Sequence, residues 1–107
     1  MAGSFYKLNM FIALSTFTIA NDMAAEVREA FKQRPHMVDK EAGFLKLEVM
    51  YPQENENEIW LMTYWTDEEN YKVWFANHYK DSHQGIPKGL KLVPGSTKVR
   101  FLEHVCG

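Results

Sequence analysis

Phe5 to Ile19 is rich in aromatic and β-branched residues and holds neither Gly nor Pro, which predicts one long strand. Its odd positions are Phe5, Lys7, Asn9, Phe11, Ala13, Ser15, Phe17 and Ile19. Its even positions run from Tyr6 through Leu8, Met10, Ile12 and Leu14 to Thr16 and Thr18. A sheet with one solvated face alternates cleanly, but from Met10 onward both sets are largely apolar, so both faces need cover. The period then lengthens. Asn21-Asp22 offers a helix start, and Met23, Val27, Ala30 and Phe31 recur at three- and four-residue spacing, with Met37 or Val38 to follow. Pro35 breaks or kinks this helix, because it lacks the N–H for the preceding turn.

Period two returns in Phe44–Tyr51 and Ile59–Trp65, joined by the acidic turn Pro52–Glu58, and a short polar link of this kind predicts a hairpin. Thr66-Asp67-Glu68-Glu69 reads as a capping box, the Thr hydroxyl accepting from the Glu69 N–H. The helix it opens carries Tyr71, Trp74, Phe75 and His78 on one stripe. Gln84–Ser96 holds three glycines and two prolines and reads as a loop, and Thr97–Val105 as a last strand. Strand, helix, strand, strand, helix, strand predicts an α+β, ferredoxin-like split βαβ fold: a four-stranded antiparallel sheet with two helices on one face. The other face, rich in Met, Leu, Ile, Trp and Tyr, needs burial, and a second copy packed sheet to sheet, a C₂ homodimer, supplies it.

The 107 residues fit one domain spanning 1–107. Aromatics make up 14%, so large rings fill much of the interior. A net charge of −2 argues against a nucleic-acid partner, which requires a basic footprint. No run approaches the roughly 18 apolar residues of a membrane span. The start Met1-Ala2-Gly3-Ser4 lacks the basic and apolar regions of a leader. Cys106 has no partner for an internal disulfide or a thiolate metal site, so a reducing, cytoplasmic setting is expected.

Taken alone, Trp74 reads as a core residue and His83 as a surface or helix-capping histidine. The same pair on the inner side of a helix also suits a flat, apolar, metal-bearing ligand, and both readings stay open. His78 lies five residues before His83, which excludes a shared helical face and a two-histidine zinc site of the zincin kind. Ser15 sits in no nucleophile-elbow context, which argues against a serine hydrolase. The glycines of the late loop precede a strand and form no phosphate-binding fingerprint.

Four pieces, in this order and spacing, resemble the antibiotic biosynthesis monooxygenase superfamily of dimeric α+β barrels, and most of all its IsdG-type haem-degrading branch. They are Met10-Phe11-Ile12-Ala13, Gly43-Phe44-Leu45, Tyr64-Trp65-Thr66 and the segment from Trp74 to His83. The resemblance covers about Met10 to Val105. It implies haem as both substrate and cofactor, with dioxygen and an external electron donor completing a reaction that opens the ring and frees iron. It implies His83 as the axial iron ligand and Trp74 as the ring that presses on the porphyrin. Tyr71 and Phe75 then complete an apolar wall. The first strand departs from the pattern: Ser15 stands where the branch has an asparagine that donates a hydrogen bond on the oxygen side. A serine hydroxyl reaches less far than a carboxamide. Asn9, six residues away or roughly 20 Å along an extended chain, cannot replace it. Other members of the superfamily imply a cofactor-independent monooxygenase of an aromatic or quinol substrate. A haem-binding dimer without turnover is the third reading.

Overall fold

The computed structural model describes residues 10–33, 37–78 and 87–107, without the side chains of Met37 and His78. The expected strand start before Met10, the Pro35 break, His36 and His83 lie outside the described residues. The elements are β1 (Phe11–Thr18), α1 (Ala24–Lys32), a 3-10 turn at Met37–Lys40, β2 (Phe44–Met50), β3 (Glu58–Trp65), α2 (Glu68–His78) and β4 (Lys98–Glu103). The sheet order is β2-β3-β1-β4 and each pairing is antiparallel. This is the ferredoxin-like βαββαβ fold.

Because successive strand side chains point to opposite faces, register sorts the sheet. Phe11, Ala13, Ser15 and Phe17 share a face with Trp65, Thr63, Leu61 and Ile59, their partners on β3. Both helices cover this face, through two separate clusters. One gathers Phe11, Ala13, Trp65 and Tyr71, with Val38, Phe44 and Trp74 packed against it. The other gathers Ile19, Ala24, Val27 and Ile59, with Phe31, Val49 and Leu90 among its flanking residues.

The opposite face carries Ile12, Leu14, Met62, Tyr64 and Trp60 at its centre. Ile12 and Leu14 are only 8% and 6% exposed, although neither described helix packs on this face. Long side chains on the flanking strands lean across the sheet instead. The Tyr64 hydroxyl donates to Glu48 Oε1 at 2.7 Å, Lys46 Nζ lies 4.5 Å from the Tyr64 ring centroid, and Trp60 Nε1 donates to Glu58 Oε2 at 2.6 Å.

Two helix starts differ from the sequence expectation. Asp67, not Thr66, caps α2: its Oδ1 accepts the Asn70 N–H at 2.8 Å. Thr66 is drawn aside, its N–H donating to the Gly43 carbonyl at 2.8 Å and its hydroxyl accepting from the Asn70 amide at 3.3 Å. Gly43 has φ +77°, and a Cβ built there would lie 2.5 Å from Asn70 Nδ2, so only glycine fits this corner. At α1, Met23 occupies the cap position and no side chain caps the helix. Asn21 turns instead to the late loop, donating to the Gly89 carbonyl at 2.7 Å and accepting the Lys91 N–H at 3.4 Å. That loop is ordered alongside the end of β1: Ala20 N–H bonds Lys91 O and Val93 N–H bonds Thr18 O, both at 2.8 Å. Among the described residues, no helix is long and apolar enough to cross a membrane.

Candidate functional site

Trp65 is fully buried at the end of β3, and its indole N–H needs an acceptor. Thr63, two residues earlier on the same strand face, accepts it at 2.9 Å. Around the Trp65 ring stand Phe44, Trp74 and Tyr71, at centroid distances of 5.4, 5.6 and 5.8 Å. Tyr71 is the hub of α2, with Phe75 at 5.9 Å and Trp74 at 6.1 Å. The predicted wall residues Tyr71, Trp74 and Phe75 are therefore brought together, but they do not form one flat surface. Trp74 turns toward Trp65 and the cluster that holds Val38 and Phe44. Phe75 turns to the other side, where it lines a cleft with Phe11, Tyr71 and Phe101.

That outer cleft measures about 320 Å³, and the Lys72–Glu68 ion pair supplies its charged groups. It lies against β4, an edge strand, and neither Trp74 nor Ser15 lines it.

The helix side of the sheet is incompletely covered at its centre. β1 and β3 are the two inner strands, so the middle of their helix-side face should be the most buried part of the sheet. It is not. Phe11, Ala13 and Trp65 are buried at one end, and Ile19 and Ile59 at the other. Ser15, Phe17, Leu61 and Thr63 between them are only half-buried. The two clusters thus leave a seam across the centre of the sheet. Its floor is Ser15, Leu61 and Thr63, with Leu47 and Val99 paired beside them. Trp74 of α2 and Phe31 of α1 are half-buried helix rings packed against the two clusters.

The seam floor, among the described residues, is apolar except for the hydroxyls of Ser15 and Thr63. Among the described residues, no group of three or more His, Cys, Asp or Glu is placed to hold a metal ion. His104 sits beyond the far end of β4, its N–H bonded to the Met10 carbonyl at 3.0 Å and its Nδ1 buried without a partner. It is five residues past Val99, or about 16 Å along a strand, too far to serve the seam. α2 ends at His78, and the chain is described again from Pro87, three residues before Leu90 packs on the second cluster. His83 falls between these points. Tyr64, whose phenol is held above its ordinary pKa by burial and by Glu48, belongs to the opposite face of the sheet.

The sequence reading missed Thr63 and Leu61 as parts of the site. A signal for Thr63 was present, since a strand tryptophan predicted to be buried needs an acceptor and Thr63 lies two residues before it on the same face.

Residues 10–85 match the family model for antibiotic biosynthesis monooxygenases. Among solved structures, the heme-degrader MhuD of Mycobacterium tuberculosis, determined with two hemes bound in its active site, is similar. The match has a TM-score of 0.74 at 18% identity and covers 91% of this chain and 97% of that one. A conserved protein of Methanosarcina mazei matches with a TM-score of 0.72 at 15% identity, over 92% of this chain and 96% of that one. At these identities the likeness concerns the fold. No curated protein matches in sequence. The family model spans well over half of the chain, and the chain belongs to the antibiotic biosynthesis monooxygenase family.

Proposed function

We propose that this chain binds haem in the seam between its two helices and opens the ring oxidatively, with dioxygen and an external electron donor, releasing iron. The observation that carries the reading is the half-buried centre of the helix-side face, an opening where a helix layer would otherwise close. The residues present fit a flat macrocycle. Leu61 and Leu47 give an apolar floor, Trp74 an indole wall, and the hydroxyls of Ser15 and Thr63 a sparse polar pair. Haem, when bound, supplies an iron centre for dioxygen reduction and is itself the ring that is opened. His83, nine residues after Trp74 and outside the described residues, would supply a nitrogen to hold the iron. Trp74 would press on the macrocycle, held in place by Trp65 behind it, and Tyr71 and Phe75 would stiffen that support. Two copies would pair through the face centred on Ile12, Leu14 and Met62, giving a homodimer.

Haemin added to the purified protein tests this directly. The expected result is a Soret shift that saturates, followed under reductant in air by loss of the band and release of chelatable iron. His83→Ala is expected to lose the shift. An unshifted spectrum, or a His83→Ala protein that binds identically, would overturn the reading. Stable haem without ring opening would make the protein a haem carrier.

One observation favours a second reading. The Ser15 hydroxyl is half-buried and, among the described residues, makes no side-chain hydrogen bond, so it suits a phenolic oxygen. A cofactor-independent monooxygenase of an aromatic or quinol substrate would consume oxygen with such compounds in metal-free protein.

A further inference from the structure

Ser15 stands opposite Leu61, and Thr63 stands opposite Ala13, on the same face of adjacent strands. The two residues are therefore diagonal neighbours, with side chains about 7 Å apart at their bases. Both are half-buried on the floor of the seam. The Thr63 oxygen accepts the Trp65 indole N–H at 2.9 Å, and that tryptophan is fully buried and ringed by aromatic side chains. Among the described residues, no acceptor takes the Thr63 hydroxyl proton. A hydroxyl that accepts one hydrogen bond is polarised and becomes a stronger donor through its own proton. The indole also holds the oxygen in place, so this donor is oriented before any ligand arrives.

We propose that Thr63 is a hydrogen-bond donor of the site, set by Trp65 and acting beside Ser15 on an oxygen or other anionic atom held over the seam floor. The assignment rests on the seam being the ligand site. It adds a residue to that site and a reason for Trp65 to be a tryptophan rather than another large ring. Trp65 is a positioning residue, acting through Thr63.

Ferric haem is the probe and fluoride the reporter, because a small anion on the iron is stabilised by donors that face it. Trp65→Phe alone is expected to weaken fluoride binding about threefold, because Thr63 keeps its proton but loses the bond that orients it. An unchanged fluoride affinity would overturn the positioning role. Thr63→Val alone would strand the buried indole N–H, so the donor itself is tested in the Trp65→Phe background. There, Thr63→Val is expected to weaken fluoride binding about tenfold, the loss of one hydrogen bond to a charged acceptor. Haemin affinity should stay within about twofold, since the ring's apolar contacts are unchanged. Thr63→Ser in the same background should restore fluoride affinity. Haemin bound with fluoride affinity unmoved by Thr63→Val, or not restored by Thr63→Ser, would overturn the assignment while leaving the haem reading intact. Failure of the unaltered protein to take up haemin would remove the site reading and this assignment together.

Discussion

Trp65 has no solvent exposure, touches three aromatic rings and donates its indole N–H to Thr63. Trp65→Ala should cost about 3–5 kcal/mol by urea denaturation, the range for emptying a large buried site, and a cost below ~1 kcal/mol would contradict this packing. Gly43 faces a different constraint: positive φ and the Asn70 side chain both oppose a Cβ. Gly43→Ala should destabilise by at least ~1 kcal/mol, and a neutral substitution would contradict the described corner. Tyr64 gives a pH test. Burial first, then the hydrogen bond to Glu48 and the charge of that carboxylate, push its phenol from 10.0 up to about 12. The folded state holds this proton more tightly than the unfolded chain. Its contribution is complete below about pH 10 and is lost as pH rises toward 12. Tyr64→Phe should flatten that part of the stability curve, and an unchanged slope would rule the contact out. At this scale the sequence was partly legible. Tyr71, Trp74 and Phe75 do gather, but the α2 cap lies one residue later than expected, because Thr66, Asp67 and Asn70 compete for the same few bonds.

The four strands and two helices could be read from their periods, since strands with apolar residues on both faces and a helix with an aromatic stripe have few other solutions, but the 3-10 turn at Met37–Lys40 could not. What the period could not show is how α2 divides its aromatic residues. Trp74 and Phe75 are adjacent in sequence and flank Tyr71, one directed toward Trp65 and the other toward the outer cleft. α1 shows a second limit. Asn21 has the chemistry of a helix cap, yet its amide serves a loop 68 residues away, a partner that no local pattern reveals. Asn21→Ala should therefore leave amide exchange within α1 unchanged and speed it at Ala20 and Lys91, with a loss of about 1 kcal/mol. Faster exchange confined to the first turn of α1 would restore the capping view.

Among the described residues, the helix-side face of the sheet is half-buried at its centre, and the other face is a layer that neither helix covers. The sheet order and the helix side were legible because the βαββαβ order leaves few topologies. The seam was not legible, because it depends on where two clusters fail to meet. That gap comes from packing along the strands rather than from any single residue's type. The uncovered layer is partly shielded by its own margins, through Tyr64, Glu48 and Trp60. Met62 lies half-buried at its centre. Sedimentation equilibrium should report twice the chain mass for the unaltered protein and a folded monomer for Met62→Lys. A monomeric unaltered protein would contradict pairing through this face. If the seam holds the ligand, filling its floor must weaken binding. The most direct measurement is an absorbance titration with haemin of the unaltered protein beside Leu61→Trp, which fills the seam floor but not the outer cleft. A saturable Soret shift is expected in the first, and an affinity at least about tenfold weaker in the second with its circular dichroism preserved. No shift in the unaltered protein, or equal affinity in the two, would contradict binding in the seam.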